Sequence, residues 1–167
     1  MKVVIADTSP INYLVLIDCV SLLRSLYARI VIPVEVFAEL TAPGAPPQVA
    51  SWLRSQPDWV EVRPAPPGDT PQLAAHEADL DGGELAAIRL ALMERDSLLL
   101  IDEAAGRGVA SRLGIANTGT LGVLVAGARE GLVDLRTSLD RLRSTNFRVS
   151  QSLIDLLLAD ARRCDAS

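Results

Sequence analysis

The sequence is short of the residues on which most enzyme chemistry and most stapled folds rely. Its two cysteines, Cys19 and Cys164, form no Cys-x-x-Cys pair, so neither a disulfide framework nor a zinc knuckle is indicated. His76 is the sole histidine and lies in a polar stretch with no nucleophile nearby in sequence. Neither a histidine-based triad nor a multi-histidine metal site is thereby indicated. Lys2 is the only lysine, so there is no glycine-rich phosphate loop ending in Lys-Ser or Lys-Thr. Charges interrupt every apolar stretch before the ~18 residues that a membrane span requires. The opening MKVVIADTS meets Asp7 too early for the apolar core of a secretion signal, and a cytoplasmic protein with no membrane association is expected. A net charge of −5 argues against a general electrostatic grip on nucleic acid.

What remains is an apolar, carboxylate-rich chain. Hydrophobic residues make up 49% of 167 positions, enough for one domain with a real core. That excess fits either a dense core or a buried subunit interface. Leu153, Ile154, Leu157, Leu158 and Ala161 share a face of the last helix, and a homodimer or higher homo-oligomer is expected from them. The other fifteen of the 16 basic residues are arginines, whose planar fork pairs well with phosphate. Codon bias would give the same composition.

Short β-branched runs alternate with helical periodicity. Val3 to Ala6 reads as a buried strand ending at Asp7, with Ser9 as helix cap and Pro10 in the first helical position. Helical periodicity continues over residues 10–27. Residues 29–32 form a second strand, and Pro33 opens a helix through Leu40. A helix surrounds Trp52, and residues 59–62 give a third strand. RPAPPGDTPQ, residues 63–72, carries four prolines and reads as an exposed loop. Gly82-Gly83 starts a helix to about Arg95, and Ser97 to Ile101 is an apolar strand ending at Asp102. Helices follow over residues 103–113, 118–131, 134–144 and 150–163, with a brief strand at Ile115-Ala116. The alternation predicts an α/β fold of three layers, a central parallel sheet of four or five strands with helices on both faces.

In such sheets the ligand crevice lies outside the carboxyl ends of the strands. Asp7 and Asp102 each follow an apolar strand directly, and both should open at that edge. Either alone is as readily a turn former or cap. Glu84 begins the stripe Glu84, Ile88, Leu92, so it stands on the core-facing side of its helix. A carboxylate there needs a partner or a metal; attraction to the helix N-terminus explains its turn but not its face. Asp79 and Asp81, just before it, are either solvated loop acids or assistants. Glu35 and Glu39 lie four apart on one helix face, and spacing alone does not choose between them.

With these residues in view, the sequence resembles the PIN-domain family of nucleases, in the branch related to bacterial toxin–antitoxin ribonucleases. The resemblance is carried in order by VIADTSPINYL, IPVEVFAEL, DGGELAAIRLAL, LLLIDEAAGRGVA and TGTLGVL, and runs from Val3 to about Ser150. It implies a PIN-like nuclease domain over residues 1–150. Residues 151–167 would be a C-terminal helix and tail, packed on the same domain or at an oligomer interface. The family's four acids fall on Asp7, Glu39 (rather than Glu35), Glu84 and Asp102, as catalytic residues and ligands of Mg2+ or Mn2+. Glu103 stands where many relatives carry a second aspartate and is either a further ligand or a helix N-terminal acid. Ser9, Thr118 and Thr120 supply hydroxyls to support the site, though the two threonines would equally cap the next helix. Arg107 is a candidate phosphate contact or an ordinary solvent-facing arginine. The implied partners are an RNA substrate and a small DNA-binding antitoxin protein.

Such a cluster suits phosphodiester hydrolysis. Two cations ~3.5–4 Å apart activate water and clamp the attacking and leaving oxygens. Magnesium and manganese prefer oxygen ligands. Without metal, two carboxylates ~4 Å apart repel by about 4 kcal/mol at an effective dielectric of about 20. The rival reading is a non-catalytic PIN-fold module retained for interaction or nucleic-acid binding. An aspartyl-phosphate phosphatase is rejected, because position 9 is Ser and the sole lysine precedes Asp7.

Overall fold

Three short apolar runs become the central strands because helices cover both of their faces, and two segments of more polar sequence pair at the edges. In the computed structural model, which describes residues 1–166, the chain opens with β1 (Val3–Ala6), α1 (Thr8–Leu16), α2 (Ser21–Tyr27) and β2 (Ile30–Pro33). It continues through α3 (Val34–Leu40), α4 (Pro47–Arg54), β3 (Val60–Arg63), α5 (Gly82–Met93) and β4 (Ser97–Leu100). It closes with α6 (Ala104–Arg112), β5 (Ala116–Thr118), α7 (Thr120–Arg129), α8 (Leu135–Arg143) and α9 (Gln151–Asp165). Ser167, the end of the expected tail, lies outside the described residues.

The strands pair in parallel in the order β3-β2-β1-β4-β5. The three-layer α/β expectation holds, with five strands. Alternation within each strand divides the core in two. Val4, Ala6, Ile30, Ile32 and Leu100 face the layer built around α1, α2, α4, α7 and α8. Ile5, Val31, Leu99 and Ile101 face α5 and α6, where Ile88, Leu90, Val109 and Ala110 meet them. Burial on both sides is why these strands read as continuous apolar runs rather than as alternating ones.

Two local expectations are corrected. The periodicity over residues 10–27 is not one helix but two, whose axes turn by 118°. The break comes at Asp18, held at φ 61°, while Ile17 and Cys19 on either side are buried. The apolar pattern continues through the corner because those neighbours serve the same core. Ser9 is not the first helix's cap. Asp7 is, because its N–H still pairs with Leu100 O across the sheet at 2.9 Å and the helix begins at Thr8. Pro10 then sits in the first turn, where a missing N–H costs nothing.

The C-terminal helix α9 packs against α7 and α8 through Ile154, Leu158 and Ala161. Leu153 and Leu156 point outward. Among the described residues, no single helix is long and apolar enough to cross a membrane.

Candidate functional site

The strand order dictates where a crevice opens. From β1 the chain moves outward to β2 and β3, then returns to add β4 on the other side of β1. The adjacent carboxyl ends of β1 and β4 are therefore the topological switch point of the sheet, the usual ligand position in such folds. Asp7 and Asp102 stand there. Register pairs Ala6 with Leu100, which brings the two strand ends level.

Asp7, Glu39 and Glu84 line one cleft of about 350 Å³, together with Asp79, Asp81 and Glu103. Glu84 enters it from the first turn of α5, where it also completes a capping box. Its Oε2 accepts from the Asp81 N–H at 3.0 Å, and Asp81 Oδ1 accepts from the Glu84 N–H at 2.8 Å. One oxygen thus serves the helix end, and the other, Oε1, is buried without a partner. Asp7 is also buried, and its Oδ1 likewise has no hydrogen bond. Glu39 reaches the cleft from α3 and is held by Thr8 Oγ1, which donates to Oε2 at 2.8 Å. Glu35 faces solvent and lines no part of it.

Backbone without side chains makes room for these acids. A Cβ on Gly83 would stand 3.2 Å from Asp7 Oδ1, from Glu39 Oε1 and from Thr8 Oγ1, so oxygens from the start of α1 and from α3 surround one glycine. A Cβ on Gly106 would meet Glu84 Oε1 at 3.1 Å and Ile101 Cδ1 at 2.5 Å. Gly83 was legible only as a helix starter; that it seats three oxygens follows from the fold.

Asp102 is placed differently. It lines an adjoining cleft of about 330 Å³, and Ser9 and Glu103 border both clefts. Asp102 Oδ1 accepts from the Thr120 N–H and Oδ2 from Thr120 Oγ1, each at 2.7 Å. The carboxylate therefore caps α7 from across the site, the N-cap position itself being Gly119. A Cβ there would strike Asp102 Oδ1 at 2.5 Å. Thr118 instead turns its hydroxyl against Gly122, where a Cβ would meet Oγ1 at 1.9 Å. Glu103 is the N-cap residue of α6, but its side chain makes no cap hydrogen bond. Arg107 is exposed and borders neither cleft, though its charge draws the Asp102 carboxyl toward ionisation.

Burial dominates the electrostatics. It pushes the Asp7 carboxyl up to about 8, with Asp81, Glu84 and Glu39 adding repulsion and the Thr8 backbone N–H opposing it. Burial also raises Glu84 and Asp102, the latter against the two hydrogen bonds from Thr120. Among the described residues no three acidic, histidine or cysteine side chains form a preassembled metal site. The donor set is nonetheless all oxygen, and two of its buried oxygens lack any partner, which fits a hard divalent cation.

Sequence reasoning missed Tyr13, Asn146, Phe147 and Arg148, which wall the cleft beside Asp102. Tyr13 had a faint signal, four residues after Ser9 on one helix. The other three sit in a loop with none.

Neither a curated protein nor a solved structure matches the chain significantly. A protein-family model described as a PIN domain matches residues 3–163, everything from the first strand to the last helix. The chain belongs to the PIN-domain family.

Proposed function

We propose that this protein is a magnesium- or manganese-dependent endoribonuclease, with Asp7, Glu39 and Glu84 as the principal ligand group and Asp102 and Glu103 beside it. PIN domains are generally nucleases and typically use divalent metals. The observation that carries the reading is the pair of orphaned buried oxygens, Asp7 Oδ1 and Glu84 Oε1, on a wall crowded with further carboxylates. Leaving such groups unpaired costs about 1–3 kcal/mol each, more when charged, and a cation removes that cost.

The protein's own groups have distinct tasks. Asp7 and Glu84 present fixed oxygens from the strand end and the capped helix turn. Glu39, tethered by Thr8, closes the third side. Thr120 holds Asp102 so that its carboxylate faces the neighbouring cleft in one orientation. Bound divalent metal supplies charge neutralisation at the phosphate and acidifies water. Water adds its oxygen to phosphorus, the bond to the 3′ oxygen breaks, and that oxygen takes up a proton. The products are a 5′-phosphate and a 3′-hydroxyl.

The test is direct. Purified protein incubated with structured and unstructured RNAs should cleave in magnesium or manganese and stop on chelation. Equal cleavage in EDTA refutes the mechanism. The motif resemblance extends the proposal to a toxin role, with a small DNA-binding antitoxin as partner. An adjacent small reading frame whose product binds and inhibits the protein would support that role, and a lack of any growth defect on expression of the active nuclease would oppose it.

A further inference from the structure

The cleft beside Asp102 has a composition unlike that of its neighbour. One wall is acidic, from Asp102 and Glu103; the other is Tyr13, Asn146, Phe147 and Arg148. The loop between α8 and α9 thus delivers an amide, an aromatic ring and a guanidinium in consecutive residues to the edge of the acidic site. Tyr13 fixes that loop in two ways. Its hydroxyl donates to Asn146 Oδ1 at 2.8 Å, and its ring meets Phe147 edge-on, centroids 4.9 Å apart at 87°. Both rings stay partly exposed, so each retains surface for a further contact. With its oxygen committed to Tyr13, Asn146 keeps its amide N–H groups to donate. Arg148 is exposed and has no ion pair among the described residues.

A stacking surface, a donor for a base edge and an unpaired guanidinium are the elements by which single-stranded nucleic acid is held. At about 330 Å³ the cleft lies within the range of small-ligand pockets. It shares Ser9 and Glu103 with the acidic cleft, so one strand can occupy both.

We propose that this second cleft is a nucleotide subsite: the base flanking the scissile phosphate stacks on Phe147, and its phosphate pairs with Arg148. The proposal rests on the nuclease reading and deepens it, for it assigns the site a single-stranded substrate. Tyr13 is a positioning residue, acting through Asn146 and Phe147. Nothing in the subsite requires a 2′-hydroxyl, so single-stranded DNA of the same sequence should respond to the same substitutions.

The experiment is binding of a fluorescent single-stranded octanucleotide, as RNA and as DNA, with calcium replacing the catalytic metal, alongside RNA cleavage in manganese. Phe147→Leu keeps apolar bulk for packing but removes the stacking face, and should weaken binding about tenfold. Phe147→Trp should restore it. Arg148→Gln should lower the slope of log affinity against log salt by about 0.7, the single-strand value for one phosphate contact, and Phe147→Leu should leave that slope unchanged. A wild type that cleaves RNA while both variants bind as it does overturns the subsite and leaves the nuclease standing. So does equal loss in Phe147→Leu and Phe147→Trp, which marks a packing role. A wild type that neither cleaves nor binds RNA removes the nuclease reading and the subsite with it.

Discussion

Asp7 and Asp102 stand at the carboxyl ends of neighbouring strands, one residue out of register, and live in opposite circumstances. Each is the carboxylate at the end of a central parallel strand, and the two strands are neighbours in register. Both carboxyls are raised by burial. Yet both oxygens of Asp102 are satisfied by Thr120, whereas Asp7 keeps an oxygen with no donor and three other acids repelling it. The difference separates two uses of a carboxylate at the same edge of the sheet. Asp102 is held by the protein, and its orientation is fixed before anything binds. Asp7 is left unsatisfied, so its environment improves only when a proton or a cation arrives. Stability given up at a functional site in this way is common where binding restores it.

The largest expected effect comes from removing the unsatisfied member. Asp7→Asn should lower metal-dependent RNA cleavage ~100-fold or more, since even groups behind a metal ligand typically contribute 10–100-fold. Next comes the held member. Thr120→Val deletes the hydroxyl that satisfies Asp102 Oδ2, and should destabilise the protein by about 1–3 kcal/mol. Activity should fall ~10-fold as the carboxylate loses its orientation, and Thr120→Ser should recover most of both. If Thr120→Val and Asp7→Asn shift stability in the same direction without metal, the contrast fails.

Stability should respond to pH as well. The Asp7 carboxyl titrates near 8 in the folded protein against an ordinary value of 3.8. Between these values the folded state holds a proton that the unfolded state has released, so stability must fall as pH rises through that window. Metal-free protein should therefore melt higher at pH 5 than at pH 8, and Asp7→Asn should flatten the dependence. The smallest effect belongs to Glu35→Gln, which should cleave RNA at close to the wild-type rate, because Glu35 faces solvent while Glu39 enters the cleft.

Much of this was legible in the residues. The three central strands were visible because burial on both faces leaves them continuously apolar, and Asp7 and Asp102 marked the carboxyl edge. Glu84 was legible from its place on an apolar helical stripe, although its double role in the capping box was not. Other features depend on partners remote in sequence. Whether an aspartate after a strand is satisfied turns on Thr120, 18 residues from Asp102. The corner at Asp18 was hidden by buried neighbours that keep the apolar pattern going. Tyr13 and Asn146 are 133 residues apart, and only the packing of the last loops over α1 joins them.

The most direct measurement is the melting temperature of wild type and Asp7→Asn, each without metal and in saturating manganese at pH 8. Metal-free Asp7→Asn should match or exceed wild type, because Asn keeps the size of the side chain and removes one charge from a repelling group. At one hundred times Kd, manganese should stabilise wild type by about 2.7 kcal/mol. For a chain of this length that is roughly 5–10 °C. Asp7→Asn should gain clearly less, so the order of the two proteins reverses. A metal-free mutant that melts well below wild type, with no difference in its response to manganese, would make Asp7 a structural residue and contradict the account.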